Sequence, residues 1–111
     1  MNAIIQSLLE SLNYPVSYLI DSSGADQYFV FNYADDRGDA FADDVPTENV
    51  YSIQIHFLAP MSFDHTDFKK QVRMALLSAG FTYPTIQTFI ETVTKKVHIV
   101  FECEYSESQE V

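Results

Sequence analysis

A chain of 111 residues that is 47% hydrophobic and 14% aromatic can bury roughly two thirds of the surface its unfolded form exposes, so it closes a core without a metal or disulfide staple. Sixteen Asp and Glu against six Lys and Arg leave a formal charge of -10, which repels nucleic-acid phosphates and anionic lipid alike. No apolar run approaches the roughly twenty residues of a bilayer-spanning helix, and the single cysteine, Cys103, has no partner in the chain.

Ile4, Ile5, Leu8, Leu9 and Leu12 recur at helical spacing and predict a first helix over residues 2–13, with Asn2 as its N-cap and Asn13 as the left-handed residue at its end. Glu10 interrupts the run and no basic residue precedes it, so the segment reads as a helix and not an export signal, and the protein as soluble and made in the cytoplasm. After Pro15, residues 16–20 form a short apolar run, and Asp21-Ser22-Ser23-Gly24 has the composition of a turn. Residues 27–34 alternate, with Phe29, Phe31 and Tyr33 on one side and Tyr28 and Val30 on the other, a strand with both faces partly covered.

Over residues 35–49 the alternation vanishes, which predicts a long acidic loop in place of the usual four to six connecting residues. Tyr51, Ile53, Ile55 and Phe57 then place one apolar face on a strand over 50–58. Asp64 or Thr66 is the expected cap of a second helix carrying Phe68, Val72, Ala75, Leu76 and Ala79 on one side, and Gly80 its left-handed stop. Residues 83–92 and 95–105 predict an antiparallel hairpin turning near Val93-Thr94. Its second strand turns Val97, Ile99, Phe101, Cys103 and Tyr105 inward, which makes Cys103 a small buried apolar group. Residues 106–111 are polar and are expected to fray.

The pattern is a single α+β domain over residues 1–111, in the order helix, strand, strand, long loop, strand, helix, strand, strand. The expected body is a mostly antiparallel sheet of four to five strands with both helices on one face.

Chemistry has few footholds. Asp35, Asp36, Asp39, Asp43 and Asp44 offer oxygens to a hard cation, but an EF-hand reading beginning at Asp35 puts Ala40 where glycine is required. The loop is otherwise read as ordering against a neighbouring subunit, with Phe41 and Val45 as apolar anchors, or as simply solvated. Arg37-Gly38-Asp39 spells an integrin-binding tripeptide, a three-residue string that chance supplies often. His56 and His98 are expected on neighbouring strands facing away from the apolar side, where two histidines without a third ligand read as cross-strand packing rather than zinc. No nucleophile elbow and no phosphate loop occur, Gly24, Gly38 and Gly80 being isolated. Glu91, Glu102 and Glu104 are read as balancing charge beside Lys95 and Lys96. The expectation is a protein without catalytic residues, cofactor or resident metal. Lys69, Lys70 and Arg73 gather half of the basic residues into about one helical turn, either a solvated face or a patch for the acidic loop of another copy.

Phe31-Asn32-Tyr33, Phe41-Ala42-Asp43-Asp44-Val45-Pro46, Tyr51-Ser52-Ile53-Gln54-Ile55-His56-Phe57, Lys69-Lys70-Gln71-Val72-Arg73 with Ala79-Gly80-Phe81, and Thr94-Lys95-Lys96-Val97-His98-Ile99-Val100-Phe101-Glu102 resemble the small tail-completion proteins of long-tailed bacteriophages and prophages of Gram-positive bacteria. The resemblance implies a tail terminator or head-tail joining protein, or a connector-side adaptor: a subunit that closes a homo-oligomeric ring, usually a hexamer, on the tail tube. It further implies the tail tube protein and the head connector as partners, and a place in the virion after assembly in the host cytoplasm. The family role for loop and sheet-edge contacts falls here on residues 35–48. A small ligand-binding domain of ferredoxin-like type, with His56 lining its pocket, is the reading from another class.

Overall fold

A computed structural model describes residues 2–21, 23–42 and 45–108, with the side chains of 36–47 and 108 left aside. Its elements are α1 (Asn2–Glu10), β1 (Val16–Tyr18), β2 (Tyr28–Ala42), β3 (Val45–Pro60), α2 (Thr66–Ser78), β4 (Thr85–Glu91) and β5 (Lys96–Ser108). The strands form one five-stranded sheet in the order β1-β2-β3-β5-β4. Every pairing is antiparallel except β1 with β2. The fold is the expected α+β arrangement.

Both helices lie on one face of the sheet. Ile5 and Leu9 of α1 and Phe68, Val72 and Leu76 of α2 share a single buried cluster with Phe29, Phe31, Ile53, Ile55, Phe57, Val97, Ile99, Phe101 and Cys103. The strand members are the alternate residues that period two assigns to one side. At the centre Phe57 and Phe68 meet with ring centroids 4.1 Å apart. Tyr14 packs its ring edgewise against Phe57 at 5.0 Å and Phe68 at 5.6 Å, a geometry that ring quadrupoles favour.

The helix ends depart from the simplest reading. Asn2 is helical and its Oδ1 accepts the Tyr33 hydroxyl, tying α1 to β2 instead of capping the helix. The helix stops at Glu10, and Asn13, at φ 68°, takes the left-handed position expected of it after a last turn closed by Asn13 N–H to Glu10 C=O at 3.0 Å. In α2 the N-cap is His65, without a side-chain cap bond. Asp64 instead accepts the Thr66 N–H at 3.1 Å. At the other end Phe81 N–H reaches Leu76 C=O at 3.0 Å and Gly80 N–H reaches Leu77 C=O at 3.1 Å. That is a Schellman closure, and Gly80 at φ 94° supplies the left-handed residue it needs.

The principal correction concerns residues 35–49. They are not a loop: β2 and β3 stay paired from Asp35↔Ser52 to Ala42↔Val45, with a bulge at Ala34 shifting the register between Tyr33 and Asp35. The two strands form an arm, and Asp43 and Asp44 lie outside the described residues. The alternation that marks a strand comes from burying one face. Over residues 35–49 the sequence carries no such mark, although the backbone of 35–42 and 45–52 is paired. The tail is corrected too. β5 continues through Ser108, with Ser106, Glu107 and Ser108 paired to Val50, Asn49 and Glu48, and residues 109–111 lie outside the described set. The molecule measures 53 × 25 × 22 Å with a radius of gyration of 15.4 Å, against about 13 Å for a compact chain of this length.

Cys103 is 5% exposed, and burial, aided by the Glu104 charge, pushes its thiol up to about 12. The thiolate is the reactive species. An alkylating reagent at neutral pH is therefore expected to leave Cys103 untouched in the native protein and to modify it fully in denaturant; equal rates in both states would show that this strand opens.

Candidate functional site

With both helices on one side, the opposite face of the sheet has no helix over it. It presents Tyr28, Val30 and Asn32 from β2, Gln54, His56 and Leu58 from β3, His98, Val100 and Glu102 from β5, and Phe89 and Glu91 from β4, as the registers dictate. A line of hydrogen bonds crosses this face. Asn32 Nδ2 donates to Gln54 Oε1 at 3.0 Å and Gln54 Nε2 to Glu102 Oε1 at 3.4 Å. His56 Nε2 lies 3.0 Å from Asn32 Oδ1, and its Nδ1 lies 2.8 Å from His98 Nε2. His98 Nδ1 faces Glu91 Oε1 at 3.4 Å, and the Thr94 hydroxyl donates to Glu91 Oε2 at 3.0 Å. The two histidines do sit on neighbouring strands facing away from the core.

Burial pushes His56 below the ordinary histidine range, the neighbouring His98 ring adds to this, and Glu102 acts the other way. Beside the pair is an open cavity of ≈ 500 Å³ walled by Leu19, Ile20, Tyr28 and Leu58, with Asp21, Asn32, His56 and His98 among its polar members. Its lip is held by a turn in which Ile20 N–H bonds Tyr18 C=O at 2.9 Å and Leu19 adopts φ 70°. That conformation is costly for a residue with a branched side chain. Tyr28, also on this wall, has its hydroxyl pushed up by burial and by Asp21 and Glu91.

Among the described residues no group of three or more His, Cys, Asp or Glu is placed to hold a metal, and no described helix is long and apolar enough to cross a membrane. The calcium-loop reading of residues 35–44 loses its premise, because the backbone from Asp35 to Ala42 is paired strand and does not wrap.

The predicted contact residues fall in two places. Asp35, Asp36, Arg37, Asp39 and Phe41 follow one another along β2, and Val45 opens β3 opposite Ala42. Beyond Phe31, where the β1 pairing ends, this stretch of β2 has no strand on its other side among the described residues. Lys69, Lys70 and Arg73 are on α2 above the opposite margin. Lys69 Nζ donates to Thr88 of β4 at 2.6 Å, the Arg73 guanidinium lies 5.4 Å from the centre of the Tyr83 ring, and Lys70 is exposed. β4 has no outer strand partner either. The acidic segment and the basic patch therefore sit at opposite sheet margins. Strand spacings of about 4.8 Å put β2 and β4 about 14 Å apart, so the two cannot meet within one copy.

The sequence reading placed His56 and His98 on one face but did not find Asn32, Gln54 and Glu102 as their continuation. Period two on three strands placed all five on that face; only the register showed that they touch. No protein-family model matches the chain, and no curated protein matches it.

Proposed function

We propose that this protein is a structural subunit that closes into a ring at the head-proximal end of a long-tailed phage's tail tube, ends tube growth and joins tail to head. One observation carries the reading: among the described residues, an acidic stretch of β2 with no strand along its outer side, extended as an arm, and a basic patch on α2 beside β4 lie at opposite margins of the sheet. A surface whose complement lies on the far side of the same molecule makes a head-to-tail contact, and such contacts close into rings when the rotation permits. The resemblance of the quoted segments to tail-completion proteins points the same way. A net charge of -10 suits a ring through which DNA passes, since like charge keeps the genome from adhering. The tail tube protein and the head connector are the partners on this reading.

Two experiments test it. Light scattering and negative-stain imaging of the purified chain are expected to give a ring with a central hole, and deletion of the gene from the source phage is expected to give overlong or headless tails. Normal virions after deletion would reject the role. The contact itself is tested by Lys69→Glu with Lys70→Glu, leaving Arg73 on its Tyr83 ring. Like charges opposed across the contact are expected to weaken association roughly tenfold or more, with folding unchanged. Unaltered assembly would remove the basic patch from the interface.

A second reading, a small-molecule binding module, is favoured by the ≈ 500 Å³ cavity beside His56. It requires a ligand that raises the Tm of a monomer.

A further inference from the structure

The hydrogen-bond chain across the open face has a direction, and Glu102 sets it. A carboxylate only accepts, so Gln54 turns its NH2 toward Glu102 and its Oε1 toward Asn32. Asn32 must then donate to Gln54 and present its Oδ1 to His56. His56 Nε2 consequently carries a proton and donates, which leaves Nδ1 as a lone pair when the ring is neutral. His98 Nε2, 2.8 Å away, must donate to that lone pair. Its other nitrogen, Nδ1, is then bare in the neutral ring, and it faces a second carboxylate, Glu91. Acceptors close the chain at both ends, while each neutral link donates once and accepts once. The chain is short of one proton.

We infer that the His56–His98 pair is a one-proton latch on the open face: one proton taken from solvent at His98 Nδ1 completes the bond to Glu91 and ties the β4–β5 turn through His98, His56 and Asn32 to β3 and β2. Without that proton the Nδ1 lone pair and the Glu91 carboxylate oppose each other and this side-chain tie is lost, while the Glu91↔Lys96 backbone pairing remains. A second proton has only His56 Nδ1 to occupy. Taking it breaks the His–His bond and sets two imidazolium rings 5.0 Å apart.

The charged and titratable groups around the pair fit this assignment. Glu91 of β4 and Glu102 of β5 are the two acceptors; Asp21, after β1, and Tyr28 of β2 line the adjoining cavity. Lys96 of β5 lies 5.3 Å from the Tyr28 ring centre. The lowered position of His56 fixes the sign at the acid end: a neutral His56 stabilises the fold above the ordinary histidine value of 6.5, and that contribution is lost as pH falls through the lowered one. The latch is therefore whole only where the pair holds one extra proton, and both steps belong to the pair. It does not depend on the ring proposal.

Long-range 1H–15N NMR of the histidine rings in the full chain, from about pH 4 to 8, tests it. The expected result is His56 in the Nε2–H form throughout its neutral range, with the first proton appearing on His98 Nδ1. In Glu91→Gln the amide can donate to that nitrogen, so the first step is expected to move to lower pH by roughly 0.2–0.7 unit, the range for an exposed charge pair. An Nδ1–H His56, a first proton on His56, or identical titrations of the two proteins would each overturn the proposal. So would stoichiometric zinc broadening both rings at neutral pH, which would make the site a metal site.

Discussion

Phe57→Ala is expected to cost about 3–5 kcal/mol, the range for emptying an aromatic site in a packed core, and so a large part of the roughly 5–15 kcal/mol that holds a domain of this size together. Phe57 is fully buried on the middle strand of the sheet, with ring centroids of Phe68, Phe29, Tyr14 and Phe63 at 4.1, 4.9, 5.0 and 5.4 Å. Those neighbours come from β2, α2 and the segments after α1 and β3. They cannot all move into the vacated volume without giving up their own contacts, so the cavity term stays large. Urea unfolding should show the loss as a lower midpoint with an unchanged slope, and the Tm should fall by about 15–25 °C. Phe89→Ala is the matched control. That ring is 50% exposed at the β4 margin, and its removal should cost under about 1 kcal/mol. Similar losses for the two would mean that the aromatic cluster is not the centre of the fold.

The contrast shows what the sequence can disclose. Every strand that covers the core announced itself, because burying one face imposes period two; Tyr51 to Phe57 and Val97 to Tyr105 are the plain cases. The stop of α2 was equally legible, since few residues tolerate the left-handed backbone that Gly80 adopts at φ 94°. What stayed hidden is what burial does not constrain. The arm is strand by its backbone pairing, and Asp, Gly and Ala in its sequence read as turn chemistry. β1 is three residues long and pairs in parallel across residues 19–27, a length from which no pattern emerges. The open-face chain was half visible: alternation sorted His56 and His98 to one side, but contact between diagonal positions depends on a register that the bulge and the hairpin turn set elsewhere.

Removing the arm is expected to separate assembly from folding. Deleting residues 38–49 and joining Arg37 to Val50 through Asn-Gly retains a paired position, Arg37↔Val50, and supplies the two-residue turn that best matches strand twist. Of the deleted residues whose side chains are described, Glu48 and Asn49, neither belongs to the buried cluster. The body loses only the pairings of Glu107 and Ser108 to Asn49 and Glu48, so the Tm should stay within a few degrees of the parent and unfolding should remain cooperative. Assembly should not survive, because the deletion removes Asp39, Phe41, Asp43, Asp44 and Val45 and leaves the Lys69 and Lys70 patch only Asp35 and Asp36 as counterparts. On the ring proposal the parent assembly should also loosen as salt rises, since screening shortens from about 10 Å at 0.1 M to about 3 Å at 1 M, whereas the shortened chain should be monomeric at either. On the tail-terminator proposal, the shortened allele should give the same overlong or headless tails as deletion of the gene. A shortened chain that still forms rings would place the contact elsewhere on the sheet. One that fails to fold would make the arm part of the body.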